Sequence, residues 1–204
     1  MTSEPTQKRS GDLNEALRGL KEIQAEQEKS GKKGLPPVHL WNPEYCGELD
    51  MRIARDGTWF YMGTPIKRER LVRLFSTVLR HDEDGKYYLV TPVEKIGITV
   101  DDVPFAIVDM DAFGEGGGQI LRFMTSVGDE VVVDAEHPLR MSFDEASGEP
   151  SPYVLVRARL EGLINRAVYY KLVDLAVEQE VNGDLQFGVW SSGTFFPFAP
   201  VSEI

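Results

Sequence analysis

The sequence predicts an α+β protein: two subdomains with a repeated hairpin-helix-strand motif, preceded by an N-terminal helix. Three observations carry this reading. Apolar residues recur at helical spacing in a few segments and alternate between turn signals in many others. Charge is unevenly spread: residues 1–34 hold 7 basic and 6 acidic side chains, residues 35–100 hold 9 of each, and residues 101–204 hold 6 basic against 18 acidic. Short signatures of the middle part return in the last. The expected divisions are 1–34 (helix and linker), 35–104 and 105–204.

The first helix is expected from Asp12 as cap, Glu15 three positions on, and Leu13, Leu17, Leu20 and Ile23 at helical spacing. Its narrow apolar stripe suits light docking, fraying or pairing with another chain. Ser30 to Gly34 reads as a stop and flexible link, and Pro36-Pro37 as extended chain. Strands are expected at 50–54 and 59–62 around an Asp56-Gly57 turn. Thr64-Pro65 reads as a helix start, and Leu71, Leu74, Phe75, Val78 and Leu79 form the clearest helical stripe, ending near His81. Strands follow at 86–91, 96–100, 105–110, 119–126, 130–134 and 138–143. Leu160 to Ala176 again shows helical spacing, divided near Asn165-Arg166. Asn182-Gly183 turns into strands at 184–190 and 194–198.

The repeat rests on two offsets. Asp56, Trp59, Pro65 and Ile66 correspond to Asp129, Val132, Pro138 and Leu139. Arg68, Arg70, Leu71, Leu74 and Phe75 correspond to Arg157, Arg159, Leu160, Leu163 and Ile164, with the turn-rich Asp144 to Pro152 supplying the difference.

Composition excludes several classes. With 204 residues, 42% hydrophobic and 27% charged, the chain is neither disordered throughout nor collagenous. Cys46 is the only cysteine, so no intramolecular disulfide forms. The start lacks the apolar stretch of a secretory signal, and no run reaches the roughly 18 apolar residues of a membrane span. A cytoplasmic location is expected. The net charge of −11 argues against broad coating of nucleic acid.

The segments Leu40-Trp41-Asn42-Pro43, Cys46-Gly47, Asp56 to Tyr61, Gly63 to Ile66, Val90 to Lys95 and Phe195-Phe196-Pro197 resemble one bacterial family, domain-of-unknown-function family 1285. The resemblance covers about Pro36 to Ala199. It implies an α+β fold with a repeated motif and two subdomains, the C-terminal one pleckstrin-homology-like. It implies no established activity; a role in signalling or ligand sensing has been suggested for the family.

No catalytic motif stands out. Asp109-Met110-Asp111 before Gly114 to Gly118 lacks the full ligand set of a calcium loop, and no Gly-Lys-Ser/Thr follows for a phosphate loop. His39, His81 and His137 are scattered, so no zinc site is expected, and no cofactor is implied. Ser191-Ser192-Gly193 has no matched base. The arginines are more informative. Arg73 and Arg80 are expected to be solvated, while Arg68 falls within or beside the apolar arc, where it needs a carboxylate, a carbonyl or a ligand anion. Arg157 repeats that arrangement. Glu94-Lys95 reads either as a paired, solvated dipeptide or as part of a site. Trp41, Trp59 and Trp190 either fill cores or stack a ligand ring.

The candidate ligand-binding residues are therefore Trp59, Arg68, Glu94, Lys95 and Arg157. The leading expectation is a non-enzymatic binding or regulatory module holding a small anionic ligand or a protein partner at the subdomain junction. The alternative is an enzyme acting on a phosphorylated or nucleotide-like substrate, with Asp50, Glu94 or Asp109 as acid or base. Self-association through the N-terminal helix is a further possibility.

Overall fold

The computed structural model describes residues 18–20 and 34–203. The expected N-terminal helix falls outside them except at Arg18 to Leu20, which are helical. Leu20 is 1% exposed, and a Cβ at Gly19 would sit 3.6 Å from the Thr91 side chain. From residue 34 on the described residues are mostly β, with two α-helices, so the α+β expectation holds only in its coarser form, a β-rich fold of two units. They cluster into two compact units. One runs to Asp101 without Arg55 to Gly57; the other takes those three residues together with the chain from Asp102.

The first unit is one six-stranded sheet with a helix. Its strands are β1 (Tyr45–Ile53), β2 (Trp59–Tyr61), β3 (Thr64–Pro65), β4 (Leu79–His81), β5 (Tyr87–Val90) and β6 (Lys95–Val100); α1 (Glu69–Thr77) links β3 to β4. The order is β3-β2-β1-β6-β5-β4. All pairs are antiparallel except the central β1–β6 pair, which is parallel. On β1, Leu49, Met51 and Ile53 point inward while Glu48, Asp50 and Arg52 face out, the period-two alternation of a half-buried strand. Phe75 of α1 stacks on Trp59 with ring centroids 6.2 Å apart, and both are fully buried.

Two expectations change here. Thr64-Pro65 is an edge strand, not a helix start; Met62 and Gly63, both at positive φ, make the two-residue turn before it. Proline is tolerated there because an edge strand needs no donor on its open side. The helix therefore begins at Glu69, with Arg68 as N-cap, and it ends at Thr77 rather than near His81. Ser76 and Thr77 turn their hydroxyls back to the carbonyls of Arg73 and Leu74, and β4 follows.

The second unit holds two sheets and one helix. Its strands are β7 (Phe105–Phe113), β8 (Ile120–Thr125), β9 (Glu130–Val132), β10 (Leu139–Phe143), β11 (Pro150–Arg157), β12 (Leu160–Ile164), β13 (Val177–Val181), β14 (Asp184–Ser191) and β15 (Thr194–Pro200); α2 (Arg166–Val173) lies between β12 and β13. The larger sheet has the order β10-β11-β12-β7-β8-β9, and the smaller is β13-β14-β15. The larger sheet is again antiparallel except for one parallel central pair, β12–β7. Strand for strand, it repeats the order and sense of the first unit's sheet: two three-stranded meanders joined through a parallel seam.

The helix expected over Leu160 to Ala176 is corrected. Its first third is β12, because Leu160 and Ile164, four apart, satisfy period two as well as 3.6. Asn165 separates strand from helix. Its side chain accepts from Val168 N at 2.8 Å and caps α2. The strand order also reassigns the repeat. Arg68 stands between β3 and β4, whereas Arg157 ends β11, so the offset pairing joins elements that are not equivalent.

Ser191-Ser192-Gly193 is the joint between the two sheets of the second unit. Ser191 Oγ, fully buried, accepts from Leu121 N at 2.9 Å and donates to Val133 O at 2.7 Å. Ser192 N donates to Gln119 O, and Gln119 Nε2 donates to Trp190 O.

Candidate functional site

Among the described residues, a dense polar cluster lies on the outer face of the first unit's sheet. The register brings Glu48 of β1, Gly97 of β6, Tyr88 of β5 and Arg80 of β4 into one cross-strand row. Gly97 leaves room there: the Glu48 carboxylate lies over it, and an added Cβ would have to displace that group. Lys95, two residues before Gly97, shares the face.

Lys95 Nζ donates to Asp82 Oδ2 at 2.5 Å and sits 3.9 Å from the centre of the Tyr88 ring. Arg80 grips the same carboxylate with two bonds, Nε to Oδ1 at 2.6 Å and Nη2 to Oδ2 at 3.0 Å. Its Nη1 donates to the carbonyls of Val38 and Trp41. Arg80 is thus a clamp on the Val38–Leu40 turn and is only 17% exposed, which corrects the expectation that it is solvated. Burial pushes the Asp82 carboxyl up, but the hydrogen bonds and charges of Arg80 and Lys95 outweigh it and hold the group below the ordinary aspartate range.

Two tyrosines border the cluster. Tyr88 donates to Asp84 at 2.6 Å, a bond that raises the phenol and lowers the carboxyl. Tyr45, half exposed, donates to Glu48 at 2.6 Å and meets Tyr88 edge to face. The Glu48 hydrogen bond, aided by burial, pushes Tyr45 up to about 12. Both phenols therefore stay protonated donors at neutral pH, and Asp82 stays ionised. The arrangement fixes hydrogen bonds and offers an aromatic rim; it does not poise a proton for transfer near pH 7.

The sequence candidates are dispersed. Lys95 lies at the heart of this cluster, and Glu94 precedes it, its N–H donating to Thr91 Oγ1 at 3.1 Å. Trp59 is at the other end of the same sheet. Tyr45 pairs with Lys95 and Ile53 with Trp59, so the length of β1, about 27 Å, separates them. Trp59 is 1% exposed and belongs to the core; among the described residues its Nε1 has no hydrogen-bond partner. Arg68 is exposed at the start of α1, beside exposed Lys67 and Arg70. Arg157, in the second unit, is ion-paired to Asp129 with its guanidinium 4.7 Å from the Phe105 ring centre. Asp50 is exposed on β1, and Asp109 is exposed and paired with Lys171 at 3.0 Å.

Sequence reasoning missed Tyr45, Arg80, Asp82 and Tyr88. A signal existed: Arg80, Asp82, Tyr88 and Lys95 fall on one face once β4, β5 and β6 are read as a meander with period two. Among the described residues, no group of three or more His, Cys, Asp or Glu side chains is placed to hold a metal ion. No described helix is long and apolar enough to cross a membrane.

Fold and cluster together define a class: a two-unit, mostly β protein built on meander pairs with parallel seams, its polar face knit by cation, carboxylate and phenol contacts. The chain belongs to the DUF1285 family. Residues 36–103 match "Domain of unknown function (DUF1285), N-terminal domain", and residues 104–198 match "Protein of unknown function (DUF1285), C-terminal domain". The crystal structure of a DUF1285 family protein from Silicibacter pomeroyi DSS-3 is 56% identical, with a TM-score of 0.78 over 84% of this chain and 91% of that one. A DUF1285 family protein from Shewanella baltica OS155 is 30% identical over 62% of this chain and 91% of its own, with a TM-score of 0.48. No curated protein matches the sequence.

Proposed function

We propose that this chain is a non-enzymatic binding or regulatory module of the cytoplasm, of the signalling type, that takes a small anionic ligand. One observation carries the reading: Lys67, Arg68 and Arg70 are all exposed where α1 begins, three cations about the single acid Glu69, in a stretch (35–100) whose 9 basic and 9 acidic residues balance overall. Cations grouped at a helix N-terminus, where backbone N–H dipoles add to the field, favour an anion. Arg68 is the candidate contact. Lys95 and Arg157 act differently, each committed to an aspartate and an aromatic ring, and shape the units rather than meet the ligand. The pleckstrin-homology-like reading of the second unit, which comes from the family resemblance, suits a module that binds rather than transforms. The equivalent sheets of the two units support an origin by duplication.

The test is a thermal-shift series with pyrophosphate, nucleotides and phosphorylated sugars. A ligand that raises the Tm of the wild-type chain should lose that effect in Arg68→Ala/Arg70→Ala, with the circular dichroism spectrum unchanged. A shift of equal size in the variant removes these residues from the reading.

A further inference from the structure

We propose that the small sheet of the second unit accepts a basic, extended peptide from a partner protein as a fourth strand along β13. This is independent of the anion reading and concerns a different element.

The two edges of this sheet are unlike. β15 carries Pro197 and Pro200, which lack donors, and its pairing with β14 is broken by a register shift at Phe187/Gly188. Such an edge cannot template another strand. β13 is the opposite case. Its five residues pair with β14 in unbroken register from Val177↔Gly188 to Val181↔Asp184, and it ends in a tight turn with Asn182 and Gly183 both at positive φ. It contains no proline, lysine or bulge; the guards it does carry are Glu178 and Glu180, charges that repel another acidic edge and admit a basic one, and no described strand pairs with its outer side.

The chemistry of the occupant follows from charge. No lysine or arginine occurs after Lys171, so all three strands of this sheet lack a cation. Glu178 and Glu180 are exposed on one face of β13, while Val177 and Val181 lie on the other. A strand added here would place alternate residues beside the glutamates and the rest beside the valines. The complementary sequence alternates basic and apolar side chains. A second copy of this chain fits poorly, because β13 against β13 sets glutamates beside glutamates. Strand addition supplies affinity through main-chain hydrogen bonds and selectivity through alternate side chains.

The experiment uses the full chain and a labelled nine-residue peptide of alternating lysine and valine with capped ends, followed by fluorescence anisotropy. Binding should weaken at least about tenfold in Glu178→Lys/Glu180→Lys, whose exposed sites leave the fold intact. It should also be lost when every second peptide N–H on the pairing edge is methylated, and be kept when the other set is methylated. Absence of binding, or binding indifferent to both methylation patterns, overturns the proposal. So does light scattering that shows the chain dimerising through this edge.

Discussion

Asp82 is the residue on which the first unit's polar face turns. It accepts three short bonds from two cations that are each at most one-fifth exposed. Asp82→Ala would strand both, and should cost about 3 kcal/mol in urea unfolding, the low end for stripping a partner from a buried pair, since Arg80 keeps its two carbonyls. The pH dependence has a definite sign. The folded pKa lies below the ordinary value, so this stabilisation is complete above about pH 4 and is lost as pH falls through the folded pKa. Asp82→Asn should flatten that limb of the acid-unfolding curve; an unchanged limb assigns the acid sensitivity elsewhere. Trp59 makes a second point at this scale. Its buried indole N–H lacks a partner among the described residues, a penalty of about 1–3 kcal/mol that removing the donor would relieve. Trp59→Ala should lose about 3–5 kcal/mol in the same assay, and Trp59→Phe clearly less, because relief of the orphan donor offsets part of the cavity.

At the scale of elements, the Glu48–Gly97 contact couples two parallel strands to a phenol. Glu48→Ala should bring Tyr45, now titrating at about 12, back toward its ordinary value of about 10, followed by NMR of labelled tyrosine. Gly97→Ala should move it the same way by displacing the carboxylate. The joint in the second unit is equally specific: Ser191→Ala orphans Leu121 N, while Val133 O keeps the Ser192 hydroxyl, and should cost about 1–3 kcal/mol, measured by urea unfolding. Much of this layer was legible. The Asp56-Gly57 and Asn182-Gly183 turns, the stripe of α1 and the strands after Gly85 are written in local chemistry. β13 and β12 were hidden for a physical reason. Glu178 and Glu180 leave β13 no buried face to give alternation, and an i, i+4 apolar pair in β12 fits helix and strand alike. Pro65 misled because its fixed φ suits a helix start and an edge strand equally. The candidate site was legible only at Lys95, since its partners lie on neighbouring strands and meet through register, which no local signal states.

For the whole molecule, the uneven charge becomes a division of labour between the units. The first, near neutrality, exposes Lys67, Arg68 and Arg70; the last 33 residues carry no cation at all. Raising salt should therefore weaken an anion at α1 and a basic peptide at β13 alike, while affecting the half-buried Arg80–Asp82–Lys95 cluster less. The described part of the N-terminal segment also belongs to this scale. Leu20 is buried, so Leu20→Ala should cost about 2–5 kcal/mol of the first unit's stability, read by thermal unfolding. An unaltered Tm would show that the segment adds nothing to the unit.

The parallel seam at the centre of each large sheet bears on the order of assembly. Every other strand pair in these sheets closes over a short loop, whereas the seams join Tyr45 to Lys95 and Phe105 to Gly162, about fifty to sixty positions apart. Chain entropy opposes those closures most, and they give no return until both flanking meanders are in place. Each sheet should thus form as two nuclei that zip together last. Seam substitutions such as Gly97→Ala and Gly162→Ala should then accelerate unfolding while scarcely slowing the formation of the meanders.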